Sequence, residues 1–174
     1  MLPRTNTIQS WPFVRREGVE GSAMTLRGKA DVERVTGLLN EALATEIISI
    51  LRYKRHYFMT TGFHSRHVKA KFLQHVAEEQ AHADQLAERI VQLGSEPDLS
   101  LERLLNRSQS EHVPGDSLVE LLTADLLAER GAIDSYRGLI ACVGVDDPTT
   151  RKILERILAQ EEEHAEALAS LLRV

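Results

Sequence analysis

Two short stretches of this 174-residue chain pair a carboxylate with an imidazole three positions on: Glu79-Gln80-Ala81-His82 and Glu161-Glu162-Glu163-His164. Residues three apart in a helix project from the same face. Each pair follows a lone acidic residue on an otherwise apolar face. Glu46 lies 33 positions before Glu79, and Glu129 lies 32 before Glu161. Tyr53 and Tyr136 each stand seven residues after the lone Glu of their half. The chain therefore reads as a duplicated unit with a pseudo-twofold pattern.

Burying one carboxylate without a partner costs several kcal/mol, so four aimed at one core demand a counter-charge. No lysine or arginine sits on these faces at the same level, which leaves metal cations. Four carboxylates balance two divalent ions, and an oxygen-rich set with two imidazoles suits iron or manganese better than a soft thiolate metal. Such a set also leaves a position for an exogenous oxygen ligand. A single Glu-x-x-His usually marks a solvated helix face. Two of them, each preceded at matched distance by an inward Glu, specify a two-metal site in a four-helix bundle.

The elements that must position these residues are four long helices. The first spans about 32–60, with Asp31 as the expected N-cap and Gly62 as the stop; its inward stripe is Val35, Leu39, Ala42, Glu46, Ile50 and Tyr53. The second spans about 65–93, capped by Ser65 and ended by Gly94, with Val68, Phe72, Val76, Glu79, His82, Leu86 and Ile90 inward. A long connection over 95–116, holding Pro97, Pro114, Gly115 and an expected short helix at 99–106, follows. It supplies the crossover that an up-down-down-up bundle needs. The third helix starts with Ser117 and Glu120 in capping-box spacing and ends near Val143, before Gly144. Asp147 and Pro148 are a cap and first-turn pair for the fourth, which continues through Leu154, Ile157, Glu161, His164, Leu168 and Leu171. The fold class is all-α, with residues 31–174 as the bundle.

Residues 1–30 read as an irregular arm with scattered proline and glycine and a local positive charge, or as an over-extended start before Met24. Its basic residues would suit a DNA-binding arm, but an ordinary tail is the simpler reading. Composition is that of a soluble globular domain, 43% hydrophobic and 27% charged, with a net charge of −5. No apolar run is long enough to span a bilayer, and the N-terminus lacks the apolar core of a signal peptide, so the cytoplasm is the default compartment. The single cysteine, Cys142, excludes an internal disulfide and is read as a small core residue. His56, His64, His67, His75 and His112 are read as solvent-exposed or capping, and Tyr136 as packing.

The ligand spacing, Asn40-Glu41, the Glu46-to-Tyr53 interval, Asp125-Leu-Leu-Ala-Glu129 and Glu161-Glu-Glu-His164 resemble bacterioferritin and its ferritin-like relatives over about 38–172. The resemblance implies a ferritin-like four-helix bundle with two iron ions per chain, manganese or zinc being substitutes. It implies Glu79 and Glu161 as bridging carboxylates, Glu46 with His82 completing one ion, and Glu129 with His164 the other. Tyr53 would stand beside the site as a hydrogen-bond donor or electron source, and Asp125 would orient a histidine. Bacterioferritin takes haem through a Met just after the second-helix Glu; here that position is Gln80, which argues against haem. The chain stops ten residues after His164, without a fifth helix, which argues against a 24-subunit shell and leaves a dimer or a twelve-subunit shell. The lone Cys142 argues against the ferritin-like peroxide-resistance proteins that use two cysteines.

The expected function is oxidation of Fe(II) by O2 or peroxide, for storage or detoxification. One alternative is a peroxidase or oxidase with a resident di-iron or di-manganese cluster, of the rubrerythrin kind. The other is a non-enzymatic bundle that binds DNA or protein.

Overall fold

The computed structural model describes residues 29–61, 65–102, 104 and 117–173. They form four long helices: α1 (Lys29–Met59), α2 (Ser65–Gln92), α3 (Leu118–Val143) and α4 (Pro148–Leu171). The pairs α1–α2 and α3–α4 pack most extensively, and the two pairs meet across the core. The direction is up-down-down-up, so α2 and α3 run parallel. Among the described residues, no helix is long and apolar enough to cross a membrane.

Local chemistry sets the helix ends. Ser117 Oγ accepts from Glu120 N at 3.2 Å while the Glu120 carboxylate accepts from Ser117 N at 3.0 Å, the expected reciprocal cap. Gly144, at φ 63°, donates back to Ile140 and closes α3, and Gly94, at φ 81°, follows α2; both sit in the left-handed region that glycine enters without a Cβ clash. Asp147 accepts from Thr150 N at 3.0 Å and takes two 3.0 Å bonds from Arg89 Nη2. Arg89 thereby ties the end of α2 to the start of α4. At the same end of the bundle, Asn40 on α1 accepts from Asp98 N at 2.7 Å, which pins the beginning of the crossover.

One boundary differs from expectation. Helix α1 already includes Lys29, so Asp31 lies within the first turn rather than at the N-cap. A carboxylate there still meets the positive end of the helix dipole. The expected stop at Gly62 and the side chain of the expected cap Ser65 lie outside the described residues. So do residues 1–28 of the expected arm. Of the expected short helix at 99–106, residues 99–102 and 104 are described, and Leu101, Glu102 and Leu104 are helical.

Among the described residues, the core divides into two apolar clusters. One gathers Leu39, Leu43, Leu86, Ile90, Leu154 and Ile157; the other gathers Tyr53, Val68, Phe72, Leu122, Leu126 and Leu168. Full burial of each such side chain contributes about 1.5–3 kcal/mol. Between these clusters every helix turns inward acidic or histidine positions singled out above, joined by Ser49 on α1 and Ile133 on α3. A polar layer is thus sandwiched between two apolar ones. Ile50 is half-buried, and Ser49 is buried beside it. Cys142, expected in the core, is exposed: the buried stripe of α3 runs through Leu139 and Val143 and passes it by.

Candidate metal centre

Glu46 from α1, Glu79 and His82 from α2, Glu129 from α3, and Glu161 and His164 from α4 converge in the polar layer, all between 0 and 4% exposed. They form two ligand groups, Glu46–Glu79–His82–Glu161 and Glu79–Glu129–Glu161–His164, each with its ligand atoms within 4.8 Å of one another. Glu79 and Glu161 belong to both. His82 Nδ1 lies 2.9 Å from Glu161, 3.3 Å from Glu46 and 3.4 Å from Glu79. His164 Nδ1 lies 3.5 Å from Glu79, 3.7 Å from Glu161 and 3.8 Å from Glu129.

These contacts satisfy little. Glu79 Oε1 and His164 Nδ1 are buried and have no hydrogen-bond partner, and Glu161 Oε1 meets His82 Nδ1 at 2.9 Å outside good hydrogen-bond geometry. Buried polar atoms are rarely left so, because each forfeits its hydration without return. Oxygens and nitrogens that point at common centres, instead of along hydrogen-bond directions to one another, fit a pair of cations. The donor set of four carboxylates and two imidazoles fits divalent iron or manganese.

Electrostatics without metal tells the same story. Burial, with the charges of Glu46 and Glu161, holds the Glu79 carboxyl well above the usual range, and burial with Glu46 lifts Glu161 to about 7. Glu129 is pulled the other way: against burial, His164 and Arg52 bring it down to about 2. Burial favours neutral imidazoles, but the surrounding carboxylates override it and raise His82 to about 12 and His164 further still. The carboxylates thus favour the protonated imidazoles, and metal binding must displace those protons.

The tyrosines cross between halves. Tyr53 donates to Glu129 and Tyr136 donates to Glu46, both through short hydrogen bonds. Tyr136, expected only to pack, packs within the core and also mirrors Tyr53. Asp125, expected to orient a histidine, accepts from His56 Nδ1 at 2.8 Å; that histidine is outside the ligand set. Asp125 also accepts from Arg52 Nε at 3.1 Å.

Three expectations need correction. Arg52 is a buried cation at the level of the site, 3.8 Å from Glu129. Its Cα lies off the inward stripe, but a long side chain carries its charge around the helix. His56 and His75, expected to be exposed or capping, are each 1% exposed. Both had a signal: His56 is three residues after Tyr53, and His75 is three after Phe72 and four before Glu79, positions on the inward stripe. His67 is exposed, while His64 and His112 lie outside the described residues.

Residues 36–174 match the ferritin-like domain family. A bacterioferritin of Mycobacterium bovis is 30% identical over 150 residues, covering 86% of this chain and 88% of the relative. Among solved structures, a dodecameric thioferritin, the bacterioferritin-related protein of Bacteroides fragilis, superposes with a TM-score of 0.77 at 29% identity, covering 82% of this chain and 86% of that one. A ferritin-like di-iron carboxylate protein of Bacillus anthracis does so with a TM-score of 0.73 at 27% identity, covering 83% and 99%. The bundle, the shared-carboxylate centre and these likenesses lead to one conclusion: the chain belongs to the ferritin-like family, on its bacterioferritin side.

Proposed function

We propose that the protein is a ferroxidase: it takes two Fe(II) ions as substrate into the layer between its apolar clusters and oxidises them with O2 or peroxide. The observation that carries this reading is that two ligand groups share Glu79 and Glu161. Shared carboxylates hold two ions side by side, so that two electrons leave together. Two Fe(II) give two electrons, which with two protons reduce O2 to H2O2 or H2O2 to two waters. Glu46 with His82 and Glu129 with His164 complete the two positions. His82 and His164 surrender their protons as the ions enter. Tyr53 and Tyr136 keep Glu129 and Glu46 oriented, and the apolar clusters on either side exclude bulk water.

Metal-free protein loaded anaerobically with Fe(II) and then mixed with O2 or peroxide should develop ferric absorbance in the near ultraviolet faster than Fe(II) in buffer. That rise should disappear on replacing Glu46, Glu129, His82 or His164 with Ala. Oxidation no faster than in buffer rejects the ferroxidase reading and leaves a resident metal cluster as the better account.

A homo-oligomeric assembly goes with this function, and a closed twelve-subunit shell is the form we propose. The dodecameric relative from B. fragilis supports it. So does the apolar surface that Leu51 and Phe58, seven residues apart on α1, and Leu73 on α2 leave exposed. Light scattering on the full chain checks the mass. A ferrous substrate and an exposed thiol at Cys142 fit a reducing compartment such as the cytoplasm.

A further inference from the structure

The six residues of the centre are sealed from solvent, yet the ions they suit must reach them. The two halves of the bundle match in their ligands and differ just outside them. His164 Nε2 lies 2.9 Å from the Glu78 carboxylate, one residue before Glu79. His82 Nε2 lies 3.1 Å from the Gln160 side-chain oxygen, one residue before Glu161. Four residues before the shared Glu, α2 carries His75 and α4 carries Ile157. One half therefore has an imidazole and a charged carboxylate where the other has an alkyl group and a neutral amide. Holding the ligand histidine does not require them, since the other half manages without.

His75, Glu78 and His164 each offer a ligand atom, and these lie within 4.8 Å of one another. The His75 ring stacks on His164 with centroids 4.1 Å apart. His75 is 1% exposed, and its Nδ1 is buried without a hydrogen-bond partner. Glu78, in contrast, keeps 28% of its side chain in contact with solvent. The group thus runs from water to the edge of the sealed centre.

We propose that His75, Glu78 and His164 form a loading site for divalent cations, through which ions pass from solvent to the Glu129–His164 end of the centre. The inference rests on the two-metal reading above. His164 belongs to both sets: its Nδ1 faces Glu79, Glu129 and Glu161, and its Nε2 faces Glu78. A neutral imidazole has one lone pair to give, so His164 serves one set at a time. The loading site is therefore a way-station and adds no third resident ion.

The test uses Co(II), which oxygen does not consume in this setting and whose visible absorbance reports its ligands. Metal-free full-length protein and the variants His75→Ile and Glu78→Gln, singly and together, are mixed with Co(II) in stopped flow and titrated to equilibrium. Ile is the residue the other half already carries, and Gln keeps an acceptor for His164. A site on the path speeds entry and exit alike. The double variant should take up Co(II) at least about tenfold more slowly, and release it to a chelator correspondingly more slowly, with wild-type stoichiometry and affinity. Unchanged uptake overturns the proposal. So does weaker affinity without slower uptake, the signature of residues that only hold His164 in place. If the double variant fails to fold by circular dichroism, the half-exposed Glu78→Gln change alone carries the same expectation of slowed uptake. A wild type that binds no Co(II) overturns the two-metal reading and the loading site with it; a wild type that binds two ions while the variants load at its rate overturns the loading site alone.

Discussion

Tyr53 and Tyr136 stand in opposite halves of the bundle, and each donates to the lone Glu of the half it does not belong to. Burial and the nearby carboxylates hold both phenols well above their ordinary range, so each keeps its proton and remains a donor. A hydrogen bond to a charged group contributes about 1.5–3 kcal/mol, and Tyr53→Phe and Tyr136→Phe should each lower metal-free stability by about that much in urea unfolding. Tyr53→Phe should also change the rate of Fe(II) oxidation while the number of ions bound stays the same; loss of an ion would make Tyr53 a ligand. Arg52 works through charge. It meets Asp125 at 3.1 Å in a buried pair, and removing one member of such a pair typically costs about 3–5 kcal/mol. Arg52→Leu should therefore destabilise the protein more than either tyrosine change, as read by the same unfolding curve.

At the scale of the helix, the ends were legible in the sequence because caps are local. Ser117 with Glu120, Gly144, and Asp147 with Pro148 each act within one turn, and each stands where its residue type implies. Asp147→Ala should reveal how much one end contributes. It removes an N-cap worth about 1 kcal/mol and also strands Arg89, so the loss should exceed that of Ser117→Ala, measured by thermal unfolding. The gathering of Glu46, Glu79, His82, Glu129, Glu161 and His164 in one buried layer was legible for a different reason: an acidic residue in an apolar stripe contradicts burial unless something neutralises it. What escaped was whatever reaches the site from off the stripe. Arg52 gets there by length, and Glu78 and Gln160 by standing beside the shared carboxylates on α2 and α4. His56 and His75 lay on the stripe, but histidine is common both inside and outside proteins, so its type alone did not decide. Cys142 was placed inside on its residue type, since free cysteine behaves as a small hydrophobe, but its position on α3 faces away from the buried stripe.

For the whole molecule, the centre links metal, protons and stability. Glu161 is raised to about 7 from the ordinary carboxylate value, so its contribution is lost as pH rises toward 7. His82 is raised to about 12, so its contribution is complete below its unfolded value and is lost as pH rises toward 12. Glu129, lowered to about 2, and His75, lowered to about 4, act on the acid side. Between about pH 7 and about pH 9 the metal-free protein should thus lose stability, by roughly 5 °C or more in Tm. Metal bound only by the folded state raises Tm by mass action. Because metal replaces protons, that rise should be larger at about pH 8 than at about pH 6, and binding in weak buffer should acidify the solution. Differential scanning calorimetry with Mn(II) reads the first, and a pH electrode the second. A pH-independent gain would mean that the imidazoles hold no protons for metal to displace.

The account turns on two ions sharing two carboxylates, and an anaerobic Fe(II) titration of the metal-free protein measures that directly. Binding should saturate at about two ions per chain and should collapse when Glu79 and Glu161 are both replaced by Ala. Saturation at none or one in the wild type, or at two in the double variant, would contradict it.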